Sequence, residues 1–288
     1  MDRVKLVDIL DLEDAGVDLF WAPVTSEHRS RLFGGQVAAQ ALVAASRTVD
    51  PDRPVHSLHS YFLRPGNSLI GVDFEVTRER DGQSFTTRHV EAKQRGQTIF
   101  SLTASFQRRE VGGLRHQEVA LSAPPPLECK ELPEWFDTEE AEPYRFLVAG
   151  YAETHPLELR FAEKPSPLAT LDGPLPSKQG MWIKFRDALP DDNLTHSCAL
   201  TFASDFYLIS AALRPHAVNM NSNVMVASLD HSMWFHDAFR ADQWFYYEQD
   251  SPWAGASRGL AFGRFFSEEG VLFATAAQEG LMRIRTRG

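Results

Sequence analysis

Two hydrophobic periods follow one another along this chain, and their order is repeated in its second half. Gly34-Gly35-Gln36 opens the segment Val37 to Ala45, which is apolar almost all round and rich in alanine. That pattern predicts a buried helix whose small side chains let a sheet approach closely. Strand-like runs come next: Val72, Phe74 and Val76 alternate with Asp73, Glu75 and Thr77, and Phe100, Leu102, Ala104 and Phe106 alternate with smaller or polar partners. Asp81-Gly82 and Arg95-Gly96 supply the turns that antiparallel hairpins need. The first half reads as one buried helix followed by an antiparallel sheet.

The second half reads in the same order. Phe202-Ala203-Ser204-Asp205 leads into Phe206 to Leu213, a predicted helix closed by Arg214-Pro215, with Asp205 at its start. Strand-like runs follow at Val224 to Phe235, Trp244 to Gln249, Leu260 to Phe266 and Val271 to Met282. Phe33-Gly34-Gly35-Gln36 meets Phe202-Ala203-Ser204-Asp205 at an offset of 169 residues (202 − 33), and Ile99-Phe100-Ser101 meets Leu272-Phe273-Ala274 at 173 (272 − 99). A drift of only 4 residues marks an internal duplication. Between the copies, Pro124-Pro125-Pro126 and seven acidic residues from Glu128 to Glu142 have no sustained apolar period and read as a connector. The organisation predicted is a first repeat over 1–110, a connector over 111–150 and a second repeat over 151–288.

Composition narrows the function. At 288 residues with 43% hydrophobic and 24% charged residues, the chain can bury a sizeable core. Its 29 basic against 39 acidic side chains give a net charge of −10, which argues against a general nucleic-acid binder and leaves room for a local basic patch. Two cysteines, Cys129 and Cys198, are too few for a disulfide framework or a cysteine-built zinc site, so a reducing cytosol is the expected compartment. The start of the chain is acidic, with Asp8, Asp11, Glu13 and Asp14, and resembles no signal or transit peptide. No run approaches the roughly 18 apolar residues of a membrane helix, and Arg285-Thr286-Arg287-Gly288 is not a peroxisomal address.

Several long runs closely resemble the acyl-CoA thioesterase II family: Arg31-Leu32-Phe33-Gly34-Gly35-Gln36, His56 to Gly66, Thr103 to Gln107, Ala203-Ser204-Asp205, Leu229 to His236 and Gln278-Glu279-Gly280. The resemblance spans nearly everything except the connector. It implies an α+β double hotdog, two repeats each with a central helix wrapped by a curved antiparallel sheet. It also implies hydrolysis of fatty acyl-CoA, a place in fatty acid metabolism, and self-association as a dimer or tetramer. The family's acid falls on Asp205, its amide on Gln278 and its hydroxyl on Ser228, a set that holds a water without a cofactor or metal.

The residue types suit that chemistry. An aspartate can take a proton from water as it attacks the thioester carbonyl, a hydroxyl can donate and accept, and a strand amide interrupting the apolar run Val271 to Ala277 can orient the water. Backbone N–H groups at Gly34 and Gly35 are candidate donors to the oxyanion. By the offsets above Asp205 falls on Gln36 and Gln278 on Ser105, so one competent site per chain is expected, built on the second half. Arg29, Arg31, Arg64, Arg88 and Arg258 are candidates for the CoA phosphates, against a reading as surface arginines.

Other chemistries fit less well. Gly255-Ala256-Ser257-Arg258-Gly259 has the letters of a serine-hydrolase elbow, but a strand rather than a helix is expected after it and neither His nor Asp lies beyond Ser257. The pairs His56/His59 and His231/His236 are spaced for opposite faces of a strand, unlike a metal pair. Three alternatives stay open at this stage: a covalent Ser228 acyl-enzyme with a histidine base, a hotdog acyl-CoA hydratase using Asp205 and His196, and a non-catalytic acyl-CoA-binding protein.

Overall fold

The computed structural model describes residues 4–24, 31–110, 112–149, 151, 155–218 and 223–285. The alanine-rich segment forms a helix over Gly34–Ser46, buried from Val37 to Ala45. Around it run β1 (Glu13–Gly16), β2 (Leu19–Ala22), β3 (Val55–Phe62), β4 (Val72–Asp81), β5 (Phe85–Gln94) and β6 (Gln97–Gln107). The second set comprises β7 (Lys130–Glu131), β8 (Leu157–Phe161), β9 (Lys178–Phe185), β10 (Val224–Ser228), β11 (Asp230–Phe235), β12 (Phe245–Gly255), β13 (Arg258–Ser267) and β14 (Leu272–Ile284). It wraps a second central helix over Asn193–Ser204.

The strands join in one sheet in the order β1-β2-β4-β5-β6-β3-β11-β14-β13-β12-β9-β8-β7, with β10 paired to β14. Reading outward from the centre, β3-β6-β5-β4-β2 mirrors β11-β14-β13-β12-β9, so each half contributes the same five-strand order around its own helix. The halves meet where β3 pairs antiparallel with β11, His59 opposite Ser232. Those two residues are 173 apart (232 − 59), the same offset read at Phe100 and Phe273, so the pairing centre lies on the axis of the duplication. Joining the two sheets there removes an exposed edge from each copy. This is the double hotdog.

Two expectations are corrected. The second central helix is not Phe206–Leu213 but Asn193–Ser204, and only Ser210–Leu213 of the expected run is helical. Asp205 therefore lies just past a helix C-terminus rather than at a helix start. The helix reads poorly in sequence because its polar residues satisfy themselves: Thr201 Oγ1 donates to the Ser197 carbonyl and Ser204 Oγ to the Thr201 carbonyl, each at 2.8 Å. Buried hydroxyls that bond back along the helix cost little, yet they erase the apolar stripe.

The offset between the helices is accordingly 159 (193 − 34), 14 less than between the strands, because the second copy carries extra chain between its helix and β11. Asp205 then matches Ser46, not Gln36. The trio Asp205, Ser228 and Gln278 faces Ser46, Val55 and Ser105 in the first copy, which lacks the acid under either alignment.

Nor is the segment before β8 a bare connector. Lys130–Glu131 extends the sheet, Leu132 and Phe136 are buried, and Pro124 accepts the Trp182 Nε1 hydrogen bond at 2.8 Å. Its outer boundary residues Val111 and Gly150 lie outside the described residues.

Candidate active site

The two central helices pack against each other, so that the N-terminus of the first meets the C-terminus of the second. A Cβ on Gly35 would stand 2.3 Å from the Phe202 carbonyl oxygen, and one on Gly34 2.6 Å from Asp205 Oδ2. Glycine at both positions is what permits this approach. The acid that ends the second helix is thereby laid on the first turn of the first helix, where the Gly35 N–H donates to Asp205 Oδ2 at 3.0 Å.

The other two groups come from the sheet. Gln278 and Gly280 share the inner face of β14, and Ser228, the last residue of β10, pairs with Gly280. The Gln278 amide spends both its N–H groups on the trio, donating to Asp205 Oδ1 at 2.8 Å and to Ser228 Oγ at 2.9 Å. Ser228 Oγ stands 3.5 Å from Asp205 Oδ1, at the limit of a hydrogen bond. Gln278 Oε1 is buried and takes no hydrogen bond among the described residues, which leaves it as an acceptor for a small polar molecule held here.

Electrostatics favour a base that works near neutral pH. Burial pushes the Asp205 carboxyl up to about 6, against the lowering effect of the Gln278, Gly35 and Ser228 hydrogen bonds. The dipole of the first central helix also favours its charged form, while the carbonyl ends of its own helix oppose it. A carboxylate poised near 6 is deprotonated at pH 7 yet more basic than an exposed one, as a general base requires.

The structure thus brings Asp205, Ser228 and Gln278 together, with Gly34 and Gly35 beside them. The glycine pair was expected to face an oxyanion. Instead the Gly35 donor is turned to Asp205, because the antiparallel helices make that carboxylate its nearest anion.

Of the arginine candidates, Arg29 lies outside the described residues. Arg88 is 1% exposed and tied to Thr48 and Asp81, so it is a packing residue. Arg258 pairs with Glu279 and lies over the Trp253 ring, and Arg64 Nη1 donates to the Thr98 carbonyl. Arg31 is exposed.

The serine-elbow letters form the turn between β12 and β13, with Ala256 and Ser257 at positive φ, as a two-residue hairpin requires. The histidines of the two pairs bond hydroxyls: His56 to Ser105, His59 to Ser232, His231 to Ser204 and His236 to Thr275.

Sequence reasoning missed the groups that hold the chain around Asp205. The Ser204, Phe206 and Tyr207 carbonyls accept from Tyr247 Oη (2.6 Å), Gln249 Nε2 (2.8 Å) and Gln179 Nε2 (2.8 Å). The Ser204 carbonyl is one that the helix leaves unpaired at its C-terminus and the other two belong to the turn that follows it; side chains from β9 and β12 hold all three.

Comparison with known proteins places the chain among acyl-CoA thioesterases. The family model described as acyl-CoA thioesterase matches residues 151–281, and the one described as acyl-CoA thioesterase N-terminal domain matches residues 23–107. The chain is 40% identical to acyl-coenzyme A thioesterase 8 of Homo sapiens, over 98% of this chain and 90% of that one. It is 36% identical to acyl-CoA thioesterase 2 of Haemophilus influenzae, over 97% of each. Among solved structures, the acyl-CoA thioesterase II TesB2 of Mycobacterium marinum superposes with a TM-score of 0.79 at 41% identity, covering 98% of both chains.

Proposed function

This chain belongs to the acyl-CoA thioesterase family, and we propose that it hydrolyses fatty acyl-CoA with a water activated by Asp205 and held by Ser228 and Gln278. The observation that carries the assignment of roles is the Gln278 amide bridging Asp205 and Ser228, with its own buried carbonyl oxygen left to accept. Asp205 takes a proton as the water oxygen attacks the thioester carbon. The Gly35 N–H, already on Asp205 Oδ2, holds that carboxylate in place as it takes the proton. The tetrahedral intermediate then expels CoA as a thiolate, a good leaving group, and the proton held by Asp205 can return to it. No covalent intermediate, cofactor or metal enters this sequence.

The competing readings find less support. The covalent reading pairs Ser228 with a histidine base, whereas among the described residues its side-chain hydrogen bonds run to Asp205 and Gln278. His196 lies nine residues before Asp205, about 13 Å along a helix axis, too far for a shared hydratase site. A carboxylate raised to about 6 by burial and bonded to an amide and a hydroxyl is the kind of group that marks active sites, which favours an enzyme over a non-catalytic binder.

The reading extends to one competent site per chain, built on the second repeat (151–288), with the first repeat (1–110) supplying fold and binding surface. It also includes self-association as a dimer or tetramer and a reducing cytosolic setting, which suits the two buried free thiols. No described helix is long and apolar enough to cross a membrane.

Rapid mixing with excess acyl-CoA tests direct attack by water. CoA release is expected to be linear from the first turnover, and acid-quenched enzyme to keep its unmodified mass. A burst equal to the enzyme concentration, with an acyl adduct on Ser228, would overturn it.

A further inference from the structure

His231 is buried on β11, outside the trio, and its ring is committed to a single residue: Nε2 lies 2.7 Å from Ser204 Oγ. Ser204 has one hydroxyl proton, and that proton goes to the Thr201 carbonyl at 2.8 Å, which can only accept. His231 must therefore donate through Nε2–H. Its Nδ1 is then an acceptor, buried and without a hydrogen-bond partner among the described residues. Burial pushes this imidazole down to about 4, so it stays neutral wherever a base near 6 can work.

Ser204 is the residue before Asp205. Its hydroxyl is held by His231 and its carbonyl by Tyr247, from two different strands. His231 in turn lies three residues after Ser228, on chain fastened to β14 beside Gln278: the Leu229 N–H donates to the Glu279 carbonyl and the Glu279 N–H to Asp230 Oδ1. One imidazole thus ties the helix end bearing the acid to the strands bearing the hydroxyl and the amide.

We propose that His231 is a positioning residue for Asp205, fixing through Ser204 where the carboxylate stands against Ser228 Oγ and the Gln278 amide. This rests on Asp205 being the base, as read above. It goes further by assigning a role to a histidine whose side-chain hydrogen bond goes to Ser204 rather than to any of the three groups. Geometry of this kind governs turnover more than binding, because a displacement of about 1 Å can cost on the order of 100-fold in rate.

The test compares His231→Leu, His231→Gln, Ser204→Ala and the double variant His231→Leu/Ser204→Ala, with Asp205→Asn assayed beside them. His231→Leu and Ser204→Ala are each expected to lower kcat about 10- to 100-fold, with KM within about threefold. The double variant should be no slower than the slower single, since the two residues act through one contact. His231→Gln, which can carry an N–H near the Nε2 position, should recover most of the loss.

Wild-type kcat in folded His231→Leu or Ser204→Ala, losses that multiply in the double variant, or a Gln variant no better than Leu would each overturn the proposal. If His231→Leu does not fold, Ser204→Ala and His231→Gln decide it by the same criteria. Wild-type turnover in Asp205→Asn would instead defeat the reading of Asp205 as base. An inactive Asp205→Asn beside wild-type His231 and Ser204 variants would defeat this proposal alone.

Discussion

Asp205→Asn should lower kcat about 10²- to 10⁴-fold while leaving the fold intact, the range expected when a general base is removed. The substitution keeps the size of the side chain where the two central helices meet, so their packing is retained. It removes the only group of the trio that can accept a proton from water. The amide nitrogen introduced must also face a donor, because both carboxylate oxygens accept in the native site, Oδ1 from Gln278 and Oδ2 from Gly35. That mismatch costs about 1–3 kcal/mol locally, within what a domain can absorb. A free-thiol release assay, with circular dichroism to establish folding, measures both halves of the expectation. More than a tenth of wild-type turnover in the folded variant would contradict it.

Gly35→Ala carries the second large effect, and it strikes stability and activity together. The added methyl would stand 2.3 Å from the Phe202 carbonyl oxygen and 2.7 Å from the Phe33 ring. The first neighbour is backbone and cannot swing aside, so the two central helices must separate. Overpacking of this kind typically costs about 1–3 kcal/mol. Separation also stretches the Gly35 N–H bond to Asp205, by which the first repeat holds the acid of the second. Turnover should therefore fall by about 100-fold, alongside a lower Tm in a thermal melt. Native Tm and native kcat in this variant would mean that the helices do not need their close approach.

The sequence made some of this legible for definite physical reasons. The alanine-rich helix and the alternating strands were readable because burial on all sides, or on one face, leaves a plain period. The duplication was readable at Phe100 and Phe273 because the strands kept one spacing. The helix over Asn193–Ser204 was hidden by its own hydroxyls, which bond back to Ser197 and Thr201 carbonyls and so sit buried without an apolar signature. Misplacing that helix put Asp205 at the wrong end of one.

The three catalytic candidates came from resemblance to a family rather than from spacing, since Ser228 and Gln278 lie 50 residues apart and meet only across β10 and β14. The supports of Asp205 carried no signal at all. Tyr247, Gln249 and Gln179 act on backbone carbonyls, and His231 acts on a serine 27 residues away, so nothing in their local pattern separates them from ordinary core polar residues.

The claim on which the rest depends is that Asp205, raised by burial, is the proton acceptor. The pH dependence of kcat/KM reports the base of the free enzyme, so the decisive measurement is that profile for the wild type and for Asp205→Asn. A base must be deprotonated to act; hence wild-type kcat/KM should fall about tenfold per pH unit below about 6 and level off above it. The residual activity of Asp205→Asn should show no such limb. A wild-type limb centred near 4, where an exposed carboxylate titrates, or the same limb near 6 in both proteins, would contradict the account.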